Sequence, residues 1–230
     1  LESIPSHDTF NRFFSALNPE YFERIFRHWM FEICEKYEGV VAIDGKTIRG
    51  ASKCTSSHPA GNPGFKLHMV SAWATANGIS LGQLKVNEKH NEIVAIPLLL
   101  EALDLTGCLV TIDAMGCQTD IAKKKIECGA DYVLALKENH RNLYNTVKGW
   151  FDDLDKKNID VNKAYYATRY GKYITEEEAH GKHERRECLV YSCQALTGML
   201  KDWKGLKAVV RISSQRTIRT TGETTVNHRF

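Results

Sequence analysis

Two segments set a single carboxylate into what otherwise reads as a buried strand. They are Val41-Ala42-Ile43-Asp44-Gly45-Lys46-Thr47-Ile48-Arg49-Gly50 and Leu109-Val110-Thr111-Ile112-Asp113-Ala114-Met115-Gly116-Cys117-Gln118. An ionised Asp among apolar neighbours is costly unless something pairs with it. Two of them, from separate strands, can satisfy each other through a bound divalent cation. Mg²⁺, or Mn²⁺ in its place, takes oxygen ligands and keeps waters for substrate phosphate. That is the chemistry of metal-assisted phosphodiester hydrolysis and transfer. Asp44 and Asp113 are therefore the candidate catalytic and metal-binding residues.

Each of these residues also has a plainer reading. Asp-Gly is a turn signal, so Asp44 could be a turn residue. The alternating run Lys46-Thr47-Ile48-Arg49 argues for a strand continuing past it. Lys46 and Arg49 could contact DNA phosphates or be the solvated face of that strand. Asp113 could cap the next helix, but Thr119 is the better placed cap, which leaves Asp113 in the loop where a strand ends. In α/β sheets that is where ligands usually bind. Lys123-Lys124-Lys125 reads as a solvated helix face. His180, His183, Cys188 and Cys193 match no familiar zinc spacing. The sequence holds no Gly-rich phosphate loop, Gly-x-Ser-x-Gly elbow or His-Glu-x-x-His motif.

Such residues need a sheet to hold them. Residues 40–48, 66–76 and 79–86 read as strands, with Ala76-Asn77-Gly78 a hairpin turn between the last two. Residues 91–105 read as a helix, with Pro97 in its first turn or kinking it. Residues 108–112 form a nearly all-apolar strand, 119–128 a helix stopped by Gly129, 131–137 another buried strand, and 142–154 a helix. Ahead of these, residues 6–37 read as two helices. Ser6 or Asp8 caps the first, Asn18-Pro19-Glu20 opens the second, and Phe22, Ile25, Phe26, Trp29 and Ile33 form a stripe suited to core packing. Residues 165–175, 184–192 and 206–219 read as strands with polar alternation, and 223–230 as a further strand stopped in mid-pattern. The expected fold class is α/β: an RNase H-like mixed sheet flanked by helices, a β-rich addition and a short N-terminal helical segment. Right-handed crossovers then make the Asp44 and Asp113 strands neighbours, their carboxylates facing across one strand spacing of about 4.8 Å.

Bulk properties narrow the class. With 230 residues, 43% hydrophobic and 26% charged, a packed core is expected rather than disorder. A net charge of +3 permits a nucleic-acid partner without arguing for one. No apolar run reaches transmembrane length, so no membrane partner is expected. Seven cysteines, with no Cys-x-x-Cys pair, favour a reducing, cytoplasmic location over a disulfide framework. Both ends read as cut, as in a fragment of a longer protein.

The motifs together resemble the DDE-type insertion-sequence transposases, in the branch of the H-repeat-associated proteins of Rhs elements. The matching segments are residues 42–50, Lys89-His90-Asn91-Glu92-Ile93 with Ala95-Ile96-Pro97, residues 111–118, 131–137, and His180-Gly181-Lys182-His183-Glu184-Arg185-Arg186. Two segments depart from the family pattern: Lys137-Glu138-Asn139-His140 replaces a Lys-Gly-Asn-Gln type turn, and His183 stands where another residue is usual. The resemblance implies a helical segment at 1–38, part of an RNase H-like catalytic core at 39–155 and a β-rich insertion at 156–230. It implies Asp44 and Asp113 as the first two metal-binding acids. The third acid would be a Glu on a helix after Phe230; Glu184 is not assigned that role. Lys46, Arg49 and Lys137 are the expected DNA contacts. The implied partner is transposon-end DNA, bound by a homodimer, and the expected activity of these residues alone is weak or absent. Two other readings stand beside this one: a non-catalytic DNA-binding transposase remnant, and an RNase H-like nuclease unrelated to transposition.

Overall fold

A computed structural model of the chain describes residues 4–33, 39–48, 67–86, 92–157, 170–192 and 200–230. The helices are α1 (His7–Ala16), α2 (Pro19–Ile33), α3 (Glu92–Glu101), α4 (Thr119–Glu127) and α5 (Arg141–Lys156). The strands are β1 (Val40–Ile48), β2 (Leu67–Ala74), β3 (Ile79–Val86), β4 (Leu109–Ile112), β5 (Asp131–Leu134), β6 (Tyr170–Ala179), β7 (Lys182–Ser192), β8 (Ala208–Ile218) and β9 (Thr224–Arg229). They form a five-stranded sheet ordered β3-β2-β1-β4-β5 and a four-stranded sheet ordered β6-β7-β8-β9. Two compact units result: Leu1–Thr111 with Cys128–Asp131, and Ile112–Glu127 with Tyr132–Phe230. No helix among the described residues is long and apolar enough to cross a membrane.

In the first unit, β1, β2 and β3 make an antiparallel meander, with Ile43 opposite Ala72 and Ala72 opposite Gly82. Gly78 turns the second hairpin at φ 67°. Alternation sends Val41, Ile43, Val70, Ala72 and Ala74 to one buried face. The apolar side of α3, with Ala95, Ile96, Leu99 and Leu100, is buried in the same unit. The Leu109 amide donates to the Gly39 carbonyl at 2.9 Å, so β4 sets out beside the start of β1. Cys108 and Ile112 carbonyls accept from the Asp131 and Ala135 amides respectively, the stepping of a parallel β4–β5 pair. The sheet is therefore mixed. Pro97 is the sixth residue of α3, not in its first turn. The helix also ends earlier than its pattern suggested, because Gly107 turns at φ 79° and Cys108 donates to Leu105 to start β4.

The N-terminal helices correct one expectation. Ser6 Oγ accepts from the Thr9 amide at 3.3 Å and Asn18 Oδ1 from the Tyr21 amide at 3.0 Å, the caps the sequence offers. The stripe on α2, however, is not core: Phe22, Ile25 and Trp29 are 43%, 49% and 53% exposed. The Phe22 and Trp29 rings pack on neighbouring rings instead, those of Phe14 and Phe26. The covered side of the helix is mixed, with Glu23, Phe26 and Arg27 half-buried and Met30 buried, and the Gln83 N–H of the edge strand β3 donates to Glu23 Oε1 at 2.9 Å. That bond gives an edge donor a partner.

In the second unit, Val147 and Phe151 of α5 bury against Cys117, Leu136 and Leu189. Arg211 joins them as a buried cation, bonded to both oxygens of Asp155 at 2.6 and 3.0 Å and lying 5.2 Å over the Phe151 ring. Strand β6 runs on to Ala179, past residue 175 where the sequence pattern ended it; residues 165–169 lie outside the described residues. The acids are held across the hairpin, Glu176 to Arg185 at 3.4 Å and Glu177 to Arg186 at 3.3 Å. His180 and Gly181, at φ 52° and 70°, supply the turn.

The lysine run also needs correcting. Lys123 is exposed, but Lys125 is fully buried, one turn beyond Ile121 and Ala122 on the same helical stripe. Its Nζ has no hydrogen-bond partner among the described residues and lies 5.7 Å over the Tyr132 ring. Burial pushes its pKa down to about 7, opposed by a smaller pull from Cys117. An unfolded chain holds that proton up to the ordinary lysine value of about 10.4. Stability therefore rises as pH climbs from the folded value to the unfolded one, because only the unfolded state stays protonated there. Lys125→Met is expected to raise the melting temperature most at about pH 6, with the gain shrinking towards about pH 10; thermal melts of both proteins at the two pH values check this.

Candidate functional site

Asp44 sits in the middle of β1, exposed, on the face opposite the buried Val41 and Ile43. The antiparallel register lays Ser71 and then Gln83 beside it, a polar row across the meander. Lys46 shares Asp44's face and is also exposed. Its own row runs through Met69 to Lys85, which puts a second lysine on this open side. Arg49 lies outside the described residues.

The covered face beneath Asp44 explains the glycine that follows it. A Cβ at Gly45 would stand 2.8 Å from Glu92 Oε2, and nearer still to the rest of that carboxyl group. A side chain at residue 45 would have to displace the carboxyl group of Glu92, the first residue of α3, which fills the space. Glu92 and His68 are only 5% and 3% exposed, and His68 Nε2 bonds Glu92 Oε1. On its other side, His68 Nδ1 lies 2.9 Å from Thr47 Oγ1, the residue opposite it in the β1–β2 register. One buried network thus joins α3, β2 and β1 within the first unit.

Asp113 ends β4 in the second unit. It caps a short 3₁₀ turn, Ala114–Gly116, with Oδ1 accepting from the Met115 amide at 3.0 Å. Asp113 thus caps the 3₁₀ turn and not α4, and Thr119 is the first residue inside α4 rather than its cap. A carboxylate has about four lone-pair sites, so one capping bond leaves room for a cation. Gly116 is constrained like Gly45: an added Cβ would lie 3.1 Å from Ile112 Cβ and closer to its Cγ2. Lys137 is exposed and opens a second 3₁₀ turn, Glu138–His140, where β5 ends. The two turns are tied together, since Asn139 Nδ2 donates to the Ala114 carbonyl at 2.8 Å.

The structure therefore groups Asp44 with Lys46 in one unit, and Asp113 with the Lys137 turn in the other. Sequence reasoning missed Glu92, His68 and Lys85 as neighbours of the site. The signals were present: Glu92 stands in the quoted Lys89–Ile93 motif, and His68 interrupts an apolar alternation. Glu184 is engaged with Arg186 at 3.1 Å and Arg216 at 3.2 Å on the second sheet.

Comparison with known proteins follows from these motifs. The family model described as "Transposase DDE domain" matches residues 36–220. The chain is 41% identical over 206 residues to "Putative transposase YncI" of Escherichia coli O157:H7, covering 89% of this chain and 49% of that protein. It is 35% identical over 218 residues to the "H repeat-associated putative transposase YhhI" of Escherichia coli K12, covering 94% of this chain and 53% of that protein. The chain thus spans about half the length of these curated relatives.

The capping geometry yields a stability test. Asn keeps an Oδ1 acceptor for the Met115 amide, so Asp113→Asn is expected within about 0.5 kcal/mol of the parent, whereas Asp113→Ala loses about 1 kcal/mol. Urea denaturation of the three proteins measures the difference.

Proposed function

The chain belongs to the transposase DDE domain family, and on that premise we propose that Asp44 and Asp113 are two of the acids with which it holds Mg²⁺ or Mn²⁺ for cleavage and transfer of DNA at transposon ends. The observation that supports this most is topological. The strands carrying the two acids are neighbours in the sheet and set out side by side from Gly39 and Leu109. An antiparallel meander continued by parallel strands reached through helices is the RNase H-like plan, and we assign the core at 39–155 to it, with 156–230 as an insertion.

The donor set suits a hard cation. Both groups are exposed carboxylates at the ends or open faces of strands. No group of three or more His, Cys, Asp or Glu side chains gathers among the described residues, and Mg²⁺ requires only one or two carboxylates, completing its shell with water and phosphate. When bound, the cation supplies Lewis-acid stabilisation of the attacking and leaving oxygens in an in-line displacement at phosphorus. The protein's own residues provide the rest. The Met115 amide fixes one oxygen of Asp113 and so orients the carboxylate. Lys46 on the Asp44 face, Lys137 in the turn after β5, and Arg49, next in sequence after β1, engage backbone phosphates, which set register without reading sequence.

Calorimetric titration with Mn²⁺ is the test. The parent chain is expected to bind, and Asp44→Asn and Asp113→Asn are each expected to abolish binding. Uptake unchanged in both variants would overturn the assignment. Lys46→Ala is expected to lower the slope of log affinity for duplex DNA against log salt by about one, measured by fluorescence anisotropy; an unchanged slope removes Lys46 from the interface.

A further inference from the structure

We propose that Glu92 is a positioning residue for Asp44, acting through the backbone of Gly45; this rests on the reading of Asp44 as a cation ligand. Asp44 and Gly45 are consecutive, so their side-chain directions are opposite. Asp44 points to the open face, while the missing side chain of Gly45 leaves a notch on the covered one. The Glu92 carboxyl group fills that notch, its Oε2 2.8 Å from where a Cβ would stand. No other side chain at position 45 leaves β1 where it is without displacing Glu92. The peptide that carries Asp44 therefore lies directly on this carboxylate.

Glu92 is itself held from two directions. His68 bonds its Oε1, and His68 is in turn fixed by Thr47, three residues beyond Asp44 on the same strand. Position at the start of α3 adds the favourable end of the helix dipole. The network leaves β1 at Gly45, crosses to α3, returns through β2 and re-enters β1 at Thr47, so it closes around the segment that follows Asp44. Stability alone gives a poor account of such a group, since apolar residues of similar volume are often neutral or better in place of a buried ion pair. A directed, satisfied polar contact fixes backbone position in a way that an apolar filler does not.

The test uses the full 230-residue chain with Glu92→Ala, Glu92→Gln, Gly45→Ala and Asp44→Asn. Two readouts are taken: amide hydrogen exchange at Asp44, Gly45 and Lys46 relative to the rest of β1, and Mn²⁺ affinity by electron paramagnetic resonance. Glu92→Ala is expected to keep its circular dichroism, to speed exchange at those three amides selectively, and to weaken Mn²⁺ binding by about tenfold or more. Glu92→Gln, which keeps shape and a hydrogen-bonding oxygen, is expected to restore both. Glu92→Ala that is folded but exchanges like the parent at residues 44–46 overturns the proposal. If Glu92→Ala does not fold, Gly45→Ala decides: it must loosen the same amides with Glu92 intact, and unchanged exchange there overturns the proposal equally. Asp44→Asn separates the two claims. Mn²⁺ binding that survives it refutes the ligand reading, while the exchange results still judge the positioning role.

Discussion

A carboxylate at 5% exposure needs a partner, and the first unit is arranged to provide one. Glu92 takes its partner from β2, its space from a glycine of β1 and its place from the start of α3. This one requirement links features that look independent along the chain. The glycine after Asp44, the histidine in an otherwise apolar strand, the threonine opposite it and the glutamate of the Lys89–Ile93 motif are four parts of a single contact. Burial of Val41, Ile43, Val70 and Ala72 supplies the driving force for the meander. The polar network adds what apolar burial lacks, a fixed place for one backbone segment.

The second unit solves similar problems by different means. Asp113 is held through its own turn, with Gly116 opened for Ile112 and Asn139 tying in the turn that carries Lys137. Two cations are buried here, and they contrast. Arg211 meets Asp155 with both ends of its guanidinium fork, which is the arrangement that makes a buried charge tolerable. Lys125 lies over an aromatic ring with no hydrogen-bond partner among the described residues, and burial depresses its pKa. The ladder of Glu176, Glu177, Arg185 and Arg186 lies nearer solvent, where such pairs add registry more than stability.

Element boundaries were largely legible because hydrophobic period and punctuation agree. The Asn77-Gly78 turn, the Ser6 and Asn18 caps and the glycine that stops α4 all stand where local chemistry puts them. What local pattern could not supply was the direction of a side chain once several faces compete. The α2 stripe is apolar and helical in period, yet the covered side of the helix is the mixed one of Glu23, Phe26, Arg27 and Met30, where Glu23 accepts from an edge amide of β3. Three consecutive lysines must point three ways around a helix, and one of them falls on the buried stripe of Ile121 and Ala122. Asp44 and Asp113 stood out as carboxylates in apolar runs. Glu92 and His68 did not, since their meaning lies in a contact between residues far apart in sequence.

The most direct test of the account is paramagnetic broadening in an amide-resolved NMR spectrum of the chain during Mn²⁺ addition. Resonances around Gly45 and around Ala114 are expected to broaden together at substoichiometric metal, while those of α5 stay sharp. Broadening confined to one of the two segments, or spread over the acidic residues of β6, would contradict the claim that Asp44 and Asp113 hold one cation between them.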